Sequence, residues 1–444
     1  MAAGIDKILY CRDKKKIPRL LVFGYPEEAP PVGGLLWSKR VSDSINELGV
    51  LDIKNISSEQ SIERKLNTHE ILRNILPCLM MDFSDAVRGF LTLPQIALLD
   101  SWGEPSIILW SLLRLFCPRT KIVVVFHHHE PRILPGHISK LKSRIARMAA
   151  ERYNLIVEQL TCLMIRDSDM ILTVSRTSAS QLCSLYGLTE IDHRKKEQSE
   201  EKNVARGSGK IRIVGTGVDR LTINTNSQKD IDFFCIGRIE KLDGIEKIWL
   251  SMRKLRPNVN FFMIGRATLK EINRLQSMGI NHKGEVPHQE KVDLYSRSKV
   301  FLFPSIREGF GIALGESLRL GMSAVVWRLP VFDELYSKST IAKEGTIRLV
   351  ERGNYELFAR EALQALELYE KKKKIVRSQP FATTPTVSTT TSSSSAVSSD
   401  GKKAAAALSV LELAEIKQED SVSKILQSWD DVARKVVKAL SELT

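Results

Sequence analysis

Residues 300–317 carry the sequence VFLFPSIREGFGIALGES, which predicts a buried strand, a glycine-containing turn and a helix in succession. The apolar run from Val300 to Phe303 is typical of a strand covered on both faces, as in a parallel sheet. Helical periodicity resumes at Ala313. A strand that leads directly into a helix is the repeating unit of an α/β protein.

The same alternation of apolar strand-length runs and helical periods extends from Leu20 to Glu370. So long a chain exceeds what one sheet usually takes, and we therefore expect two doubly wound parallel sheets of the α/β class. The predicted strands are residues 20–23, 122–126, 170–174, 211–214, 232–236, 260–264, 300–303 and 323–326. The predicted helices are residues 36–48, 105–116, 138–165, 178–186, 244–255, 292–298, 313–320 and 355–370.

Changes in composition predict the domain limits. Polar stretches at residues 189–210 and 222–229 place a boundary near residue 228, so we expect domains at 1–228 and 229–375. Residues 376–418 are a low-complexity segment in which 13 of the 17 residues from 383 to 399 are Ser or Thr, a composition typical of disorder. Residues 419–444 carry an amphipathic helical pattern, from Val422 to Leu443, that we expect to pack back on the first domain.

The overall composition limits the classes of function. The chain has 444 residues, 43% hydrophobic and 27% charged, and a formal net charge of +14, which favours an anionic partner over none. Its six cysteines include no C-x-x-C pair, so neither a zinc site nor a disulfide framework is indicated, and a reducing cytosol fits. The charged N-terminal segment does not resemble a signal peptide, and no apolar run is long enough to span a membrane.

The turn at residues 304–311 has the composition of an anion site. Gly309 and Gly311 let backbone N–H groups approach a ligand at the start of a helix. Glu308 in the turn and Glu316 about one turn into the helix are suited to accept hydrogen bonds from sugar hydroxyls. Together they could grip both halves of a sugar nucleotide. Spacing alone equally allows a tight strand-to-helix turn with two solvated glutamates.

The chain resembles the family 4 glycosyltransferases, the retaining, metal-independent enzymes of the GT-B fold. The two glutamates eight residues apart around Gly309-Phe310-Gly311 are that family's signature, and the likeness is stronger in the C-terminal half. Further matching motifs are Val32-Gly33-Gly34 after the first strand, His127 at a strand end, Asp169 to Ser175, Gly215 to Asp219, Gly237-Arg238, Lys283 to Val286, and Leu302 to Ser305.

The resemblance implies a fold and an activity. The fold is two Rossmann-like domains facing an interdomain cleft, with residues 1–228 binding the acceptor and 229–375 the nucleotide-sugar donor. The activity is the transfer of a hexose-type sugar from a nucleotide diphosphate to an acceptor, lipid-linked or polysaccharide, with the anomeric configuration retained. Neither a metal nor another cofactor is implied.

The resemblance also implies the roles of particular residues. Arg238 and Lys241 would hold the leaving diphosphate, Glu308 the donor sugar and Glu316 the ribose, while His127 would contact the sugar near the reacting carbon. The implied catalytic residues are His127, Arg238, Lys241 and Glu308. The implied donor-binding residues are Gly33, Gly34, Gly237, Gly284, Glu285, Val286, Gly309, Phe310, Gly311, Ile312 and Glu316, with the Gly284 to Val286 loop on the base.

One position departs from the family pattern. The family usually has a lysine just before the glycine that follows this arginine, whereas this chain has Asp243 before Gly244. Lys241 could supply the missing charge from a shifted loop. A weak or inactive enzyme, or an altered donor site, is the alternative, and it supports a second hypothesis: an inactive homologue that binds a nucleotide sugar or glycan as a partner subunit.

Several other residues have a structural interpretation beside the functional one. Three consecutive histidines, His127 to His129, point in different directions and are a poor zinc set, so one cleft histidine or purely structural roles are preferred. Trp37 and Trp102 are interpreted as packing residues. Nothing matches a nucleic-acid recognition motif.

The segment from Ile138 to Ile165 has two interpretations. It carries five basic residues against one acidic residue in its first fifteen. Such a basic amphipathic helix could rest on an anionic membrane surface, making the enzyme cytoplasmic but peripheral on the inner membrane face. A core helix with a solvated basic face is equally consistent.

Overall fold

The computed structural model describes residues 19–23, 33–56, 83–101, 104–129, 138–139, 143–188, 209–222, 228–377 and 421–443. By their internal contacts the residues divide into two compact units. Unit 1 comprises Met1–Val218, Glu308–Ile312 and Gln427–Thr444, and unit 2 comprises Asp219–Arg307 and Ala313–Leu426. The Ser/Thr-rich segment from residue 383 to 399 and most of the polar stretch at 189–210 lie outside the described residues, and the predicted domain limits stay predictions.

Unit 1 contains a six-stranded parallel sheet in the order β2-β1-β3-β4-β5-β6. Apolar side chains cover both faces of this sheet, which is why its central strands are continuously buried. The strands are β1 (Arg19–Phe23), β2 (Asp52–Ile56), β3 (Ile96–Asp100), β4 (Lys121–Phe126), β5 (Met170–Thr173) and β6 (Ile211–Ile213), and the helices are α1 (Gly33–Leu48), α2 (Glu104–Phe116), α3 (Arg144–Asp167) and α4 (Arg176–Tyr186).

Unit 2 contains a second six-stranded parallel sheet in the order β12-β11-β10-β7-β8-β9. Its strands are β7 (Ile231–Ile236), β8 (Phe261–Ile264), β9 (Ile280–His282), β10 (Ser298–Phe303), β11 (Ser323–Trp327) and β12 (Ile347–Val350). Its helices are α5 (Ile245–Leu255), α6 (Leu269–Ser277), α7 (His288–Arg297), α8 (Ile312–Arg319), α9 (Pro330–Tyr336), α10 (Thr340–Lys343) and α11 (Tyr355–Arg377). The predicted α/β class with two parallel sheets is confirmed.

The C-terminal residues Gln427–Thr444 belong to unit 1. Its helix α12 (Trp429–Leu440) places Trp429, Val432 and Val436 in the same apolar core as Val22 and Val123 of the sheet. The backbone at Gly217 lies directly against the start of α12, since a Cβ on Gly217 would lie 2.4 Å from Trp429 Cδ2. The backbone of Val218 also donates to Gln427 O at 3.0 Å.

Two predicted helices begin later than expected. The helix predicted from Val422 is interrupted: residues 421–423 are helical and turns follow, and α12 starts at Trp429, where Ser428 forms a capping box with Asp431. The predicted helix from Ile138 starts at Arg144, where the Ser143 hydroxyl accepts from Ala146 N. Lys140 and Lys142 of that prediction lie outside the described residues.

Candidate functional site

The order of the strands identifies where each sheet offers a ligand site. In unit 2 the chain adds β8 and β9 on one side of β7 and then returns to place β10 on the other side. In unit 1 it places β2 and β3 on opposite sides of β1. Ligands of open α/β sheets bind beyond the carboxyl ends of the strands at such reversals. In unit 2 the reversal lies between β7, which leads into Gly237-Arg238, and β10, which leads into residues 304–311.

The turn after β7 holds Gly237, Arg238 and Lys241 at the carboxyl edge of unit 2. Residues Ile239–Lys241 form one turn of 3-10 helix that Arg238 precedes, and Lys241 N donates to Arg238 O at 2.9 Å. Arg238 Nη1 lies 3.7 Å from Glu240 Oε1. Little space is left for a side chain at position 237, since a Cβ on Gly237 would lie 3.0 Å from Leu242 Cδ2. The two cations assigned by the resemblance therefore share one short turn.

Backbone contacts join this turn to the segment after β10. Asp243 N donates to Pro304 O at 2.9 Å and Ile306 N donates to Lys241 O at 2.9 Å, and Leu242 and Ser305 form an antiparallel bridge. The position of Lys241 is thus fixed by the segment that carries the two-glutamate signature.

Asp243 is engaged by neighbouring side chains of unit 2. Its Oδ2 lies 3.2 Å from Arg352 Nε, its Oδ1 lies 3.4 Å from Tyr355 Oη, and its backbone oxygen accepts from Trp327 Nε1 at 3.3 Å. Gly244 follows in the left-handed region at φ +75°, and a Cβ there would meet Tyr355 Cε1 at 2.0 Å. The carboxylate in place of the family's lysine has a cationic partner of its own.

Glu316 is almost completely buried on α8, with 2% of its surface exposed. One oxygen lies 2.8 Å from Lys291 Nζ, and the other lies 3.1 Å from Tyr295 Oη. Burial and the adjacent Glu316 charge raise the pKa of the Tyr295 hydroxyl well above its ordinary value. A buried carboxylate needs such partners, so α7, which carries Lys291 and Tyr295, holds Glu316 in one position.

The turn after β9 contains Gly284, Glu285 and Val286. Gly284 has φ +79°, donates its N–H to His282 Nδ1 at 2.9 Å and accepts from Gly265 N at 2.8 Å. Burial lowers the pKa of the His282 imidazole, which fits an Nδ1 that accepts a hydrogen bond. Glu285 is exposed and Val286 half-buried, so this turn is rigid in its backbone and open in its side chains.

His127 lies at the end of β4 in unit 1 and is buried. Its ring meets Trp37 edge-on at 5.6 Å, and its Nε2 lies 3.8 Å from Asp100 Oδ2, with no hydrogen-bond partner among the described residues. Burial lowers the pKa of His127, and the Asp100 charge only partly offsets this. The imidazole is therefore neutral near pH 7, with one unpartnered buried nitrogen.

Gly309 lies against His127 within unit 1. A Cβ on Gly309 would be 2.5 Å from His127 O and 3.2 Å from Val174 Cγ2, so only glycine allows this approach. Gly311 needs glycine for a different reason, because its φ is +91°. Phe310 is buried and Ile312 packs on the apolar core of unit 1. Glu308 at the head of this segment is half-buried.

Gly33 and Gly34 are the first two residues of α1, consistent with backbone N–H groups free of intrahelical partners at a helix start. In the described part of the chain, no group of three His, Cys, Asp or Glu side chains is arranged to hold a metal ion. Trp37 is wholly buried and donates Nε1–H to Gly215 O at 3.0 Å, which confirms its packing role. Trp102 lies outside the described residues.

Sequence reasoning missed several residues that support the site. Asp100, Lys291, Tyr295 and Arg352 contact His127, Glu316 or Asp243. Only Asp100 has a sequence signal, since it ends the apolar run of β3 and so lies at the carboxyl edge beside the end of β4.

A family model matches the C-terminal half of the chain, and one curated protein matches part of the chain. Residues 221–379 match the model of glycosyl transferases group 1. The chain is 26% identical over 136 residues to the GtfA subunit of the UDP-N-acetylglucosamine–peptide N-acetylglucosaminyltransferase of Streptococcus pneumoniae. That match covers 29% of this chain and spans about a quarter, 26%, of the relative's length.

Solved structures match nearly the whole chain in fold. A glycosyltransferase from Rickettsia africae superposes with a TM-score of 0.55 at 13% identity, covering 97% of this chain and 99% of that one. HepE of Anabaena, solved with UDP and glucose, superposes with a TM-score of 0.57 at 9% identity, covering 96% and 100%. The two parallel sheets and these superpositions show that the chain has the GT-B fold, and its residues 221–379 are similar to the glycosyl transferases group 1.

Proposed function

We propose that the protein is a retaining glycosyltransferase that moves a sugar from a nucleotide diphosphate sugar to an acceptor without a metal ion. The observation that carries this proposal is the edge of unit 2 at the β7–β10 reversal. There backbone hydrogen bonds join the glycine-arginine turn and Lys241 to residues 304–306, which lead into the two-glutamate segment. Cations at a rigid sheet edge are suited to hold a diphosphate.

The chemistry follows from the charge that develops on the leaving group. As the bond between the anomeric carbon and the diphosphate oxygen breaks, negative charge grows on the diphosphate, and Arg238 and Lys241 stabilise it. Glu308 accepts from donor-sugar hydroxyls, Glu316 accepts from ribose hydroxyls, and His127 contacts the sugar near the reacting carbon. Backbone groups contact the donor at Gly33, Gly34, Gly309, Phe310, Gly311 and Ile312. The turn at Gly237 lets the diphosphate approach the backbone closely.

Uracil is the base that we propose first. The pneumococcal relative is named for UDP-N-acetylglucosamine, and HepE was solved with UDP and glucose. The Gly284 to Val286 turn is the proposed contact for that base, with Glu285 exposed toward it. A UDP-hexose or UDP-N-acetylhexosamine is therefore the first donor to test.

The second hypothesis, an inactive homologue that binds a nucleotide sugar or glycan as a partner subunit, rested on Asp243. The Arg352 and Tyr355 contacts weaken that support. A carboxylate already paired with a guanidinium repels a nearby diphosphate far less than an unpaired one does. Active glycosyl transfer is the better proposal.

We further propose that α3 brings the enzyme to an anionic bilayer, where a lipid-linked acceptor would lie, on the cytoplasmic face. Its buried residues are Ala150, Thr161, Met164 and Ile165, so most of its first half is not a core helix. Large apolar side chains are exposed at helical spacing along it, and Arg144 and Arg152 are exposed between them. The exposed apolar residues are Ile145, Met148, Leu155, Ile156, Leu160 and Leu163. Exposed apolar side chains flanked by arginines are typical of a helix that lies on anionic lipid. No helix of the described chain has the length and apolarity to cross a bilayer.

A thermal-unfolding panel tests the donor proposal. The wild-type protein is heated with UDP, GDP, ADP and the corresponding sugar nucleotides, each in buffer with EDTA. A ligand at 100 times its Kd stabilises the folded state by about 2.7 kcal/mol, so one nucleoside diphosphate should raise the melting temperature by several degrees. Protection that appears only when a divalent metal replaces EDTA would contradict the metal-free proposal, and no protection by any nucleotide would contradict donor binding.

A further inference from the structure

We propose that Arg266 is a second guanidinium of the donor site and binds the phosphate that is attached to the nucleoside. The proposal deepens, and rests on, the proposed glycosyltransferase function. Arg266 follows β8 and is outside both the family motifs and the residues assigned above.

Three neighbouring strand ends bring Arg266 to the site. Gly237-Arg238 follows β7, Gly265-Arg266 follows β8 and Gly284-Glu285 follows β9. The first two turns are joined by Ile239 N donating to Arg266 O at 3.0 Å, and the last two by Gly265 N donating to Gly284 O at 2.8 Å. Because β8 lies between β7 and β9, Arg266 stands between the proposed diphosphate contact and the proposed base contact.

The approach of the first two turns depends on glycine. Gly265 has φ +124°, and a Cβ there would lie 2.2 Å from Gly237 O. A side chain at position 265 would push the two turns apart. The structure thus holds Arg238 and Arg266 as neighbours at one edge through a rigid backbone.

Arg266 is half-buried, and its guanidinium makes no ion pair or hydrogen bond with a described residue. Burial lowers its pKa, and the charge of Arg238 adds to this effect, against the opposing charges of Glu240 and Glu285. Many other arginines of the unit have a carboxylate partner. These pairs are Arg256–Glu370, Arg274–Glu246, Arg297–Asp230, Arg328–Glu351, Arg348–Glu361 and Arg352–Asp243.

A half-buried guanidinium near another guanidinium is costly unless anions balance it, and the charges of Glu240 and Glu285 offset the cost at Arg266 only in part. Both cations are suited to bind phosphate oxygens in a bidentate manner. In a nucleoside diphosphate, the first phosphate lies between the base and the terminal phosphate. The strand order therefore assigns the first phosphate to Arg266 and the terminal phosphate to Arg238.

Calorimetry with UDP, UMP and uridine separates the two phosphates. We expect Arg266→Gln to weaken UMP and UDP by the same factor, about 10- to 100-fold, and to leave uridine binding unchanged. Arg238→Gln should weaken UDP more than UMP. Arg360→Gln, which removes an exposed arginine of α11, is the matched control and should change none of the three.

The binding measurements distinguish failure of the Arg266 inference from failure of the proposed function. Equal UMP affinity in the wild type and Arg266→Gln would overturn the inference while leaving the proposed function intact. An equal loss for uridine would also overturn it, since the residue would then act on the base or on the fold. If the wild type binds none of UDP, GDP or ADP, both claims fail. Should Arg266→Gln unfold, Arg266→Lys retains the charge without the fork, and the inference then requires a several-fold loss for UMP with none for uridine.

Discussion

Glu316 and His127 are both buried, but they differ in their neighbours. Glu316 has an ammonium partner at 2.8 Å and a tyrosine hydroxyl at 3.1 Å, which fix the position of its carboxylate. His127 has its carboxylate neighbour at 3.8 Å, beyond hydrogen-bond distance, and burial lowers its pKa. The sugar contact proposed for His127 would therefore add no charge near the reacting carbon.

Restoring the family's lysine in place of Asp243 should destabilise this protein. Asp243→Lys removes the ion pair with Arg352 and places a cation next to that guanidinium. Lys247 is a further cation nearby, since its Nζ lies 4.6 Å from the centre of the Tyr355 ring that Asp243 also contacts. We expect the free energy of unfolding to fall by about 1–2 kcal/mol, measured by urea denaturation.

Asp243→Asn, which keeps the shape and removes the charge, is the matched control for that substitution and should cost less than Asp243→Lys. An Asp243→Lys protein at least as stable as the wild type, with tighter UDP binding, would contradict the structural role of this carboxylate.

The site residues differ in how far sequence could identify them. Arg238, Glu308, Glu316 and His127 stand in motifs at strand ends, and the structure finds each at such an end or in the adjoining turn or helix. Their roles stay predictions. Lys291 and Arg352 could not be predicted, because 25 and 109 residues separate them from Glu316 and Asp243. Only the folded sheet brings such distant residues together.

At the scale of elements, α3 is the least conventional part of the molecule. A helix on an α/β sheet normally buries one apolar stripe, but α3 buries Ala150 and then only residues from Thr161 onward. Ile145 is 79% exposed. Exposed apolar side chains in a row cost solubility unless they have a partner.

Vesicle sedimentation tests the partner proposed for α3. The wild type should sediment with anionic vesicles and not with neutral ones, and about 0.5 M salt should release it because screening shortens to a few ångströms. Changing Arg144, Arg147 and Arg152 to glutamine should weaken binding about 100-fold, at about 1 kcal/mol per arginine.

A matched triple variant, with Arg253, Lys254 and Lys338 of unit 2 changed to glutamine, removes equal charge elsewhere and should bind as the wild type does. If both triple variants lose binding equally, net charge rather than α3 is responsible. Sedimentation with neutral vesicles at high salt would contradict an electrostatic contact.

Element prediction succeeded where burial on both faces was complete. Strands β7 and β10 contain apolar runs, and the predicted limits of both lie within two residues of the observed limits. β2, β9 and β12 were missed because they are short edge or near-edge strands with polar residues in them. β3 was missed for the opposite reason, since its residues merge into a longer apolar stretch. A side-chain cap sets the helix starts that were placed too early, at Ser143 and Ser428, whereas α7 begins four residues before its predicted start without a side-chain cap.

For the whole molecule, only part of the net charge of +14 is concentrated at the two proposed binding surfaces. Two arginines and Lys241 stand at the β7–β8 edge of unit 2, and arginines lie along α3 of unit 1. Each region faces a different proposed anion, a diphosphate and a bilayer. The basic composition predicted an anionic partner, while the fold was needed to separate the two surfaces.

Donor hydrolysis in the presence of EDTA tests the proposed glycosyl transfer most directly. The wild type, incubated with UDP-glucose and with UDP-N-acetylglucosamine, should release UDP from one of them above the rate in buffer. Glu308→Ala should lower that rate roughly 100-fold, as misplacement of a bound sugar does, while UDP affinity measured by calorimetry stays within about threefold. If the wild type releases no UDP from any sugar nucleotide that protects it from unfolding, or if Glu308→Ala hydrolyses the donor as fast as the wild type, the proposed glycosyl transfer at this site is wrong.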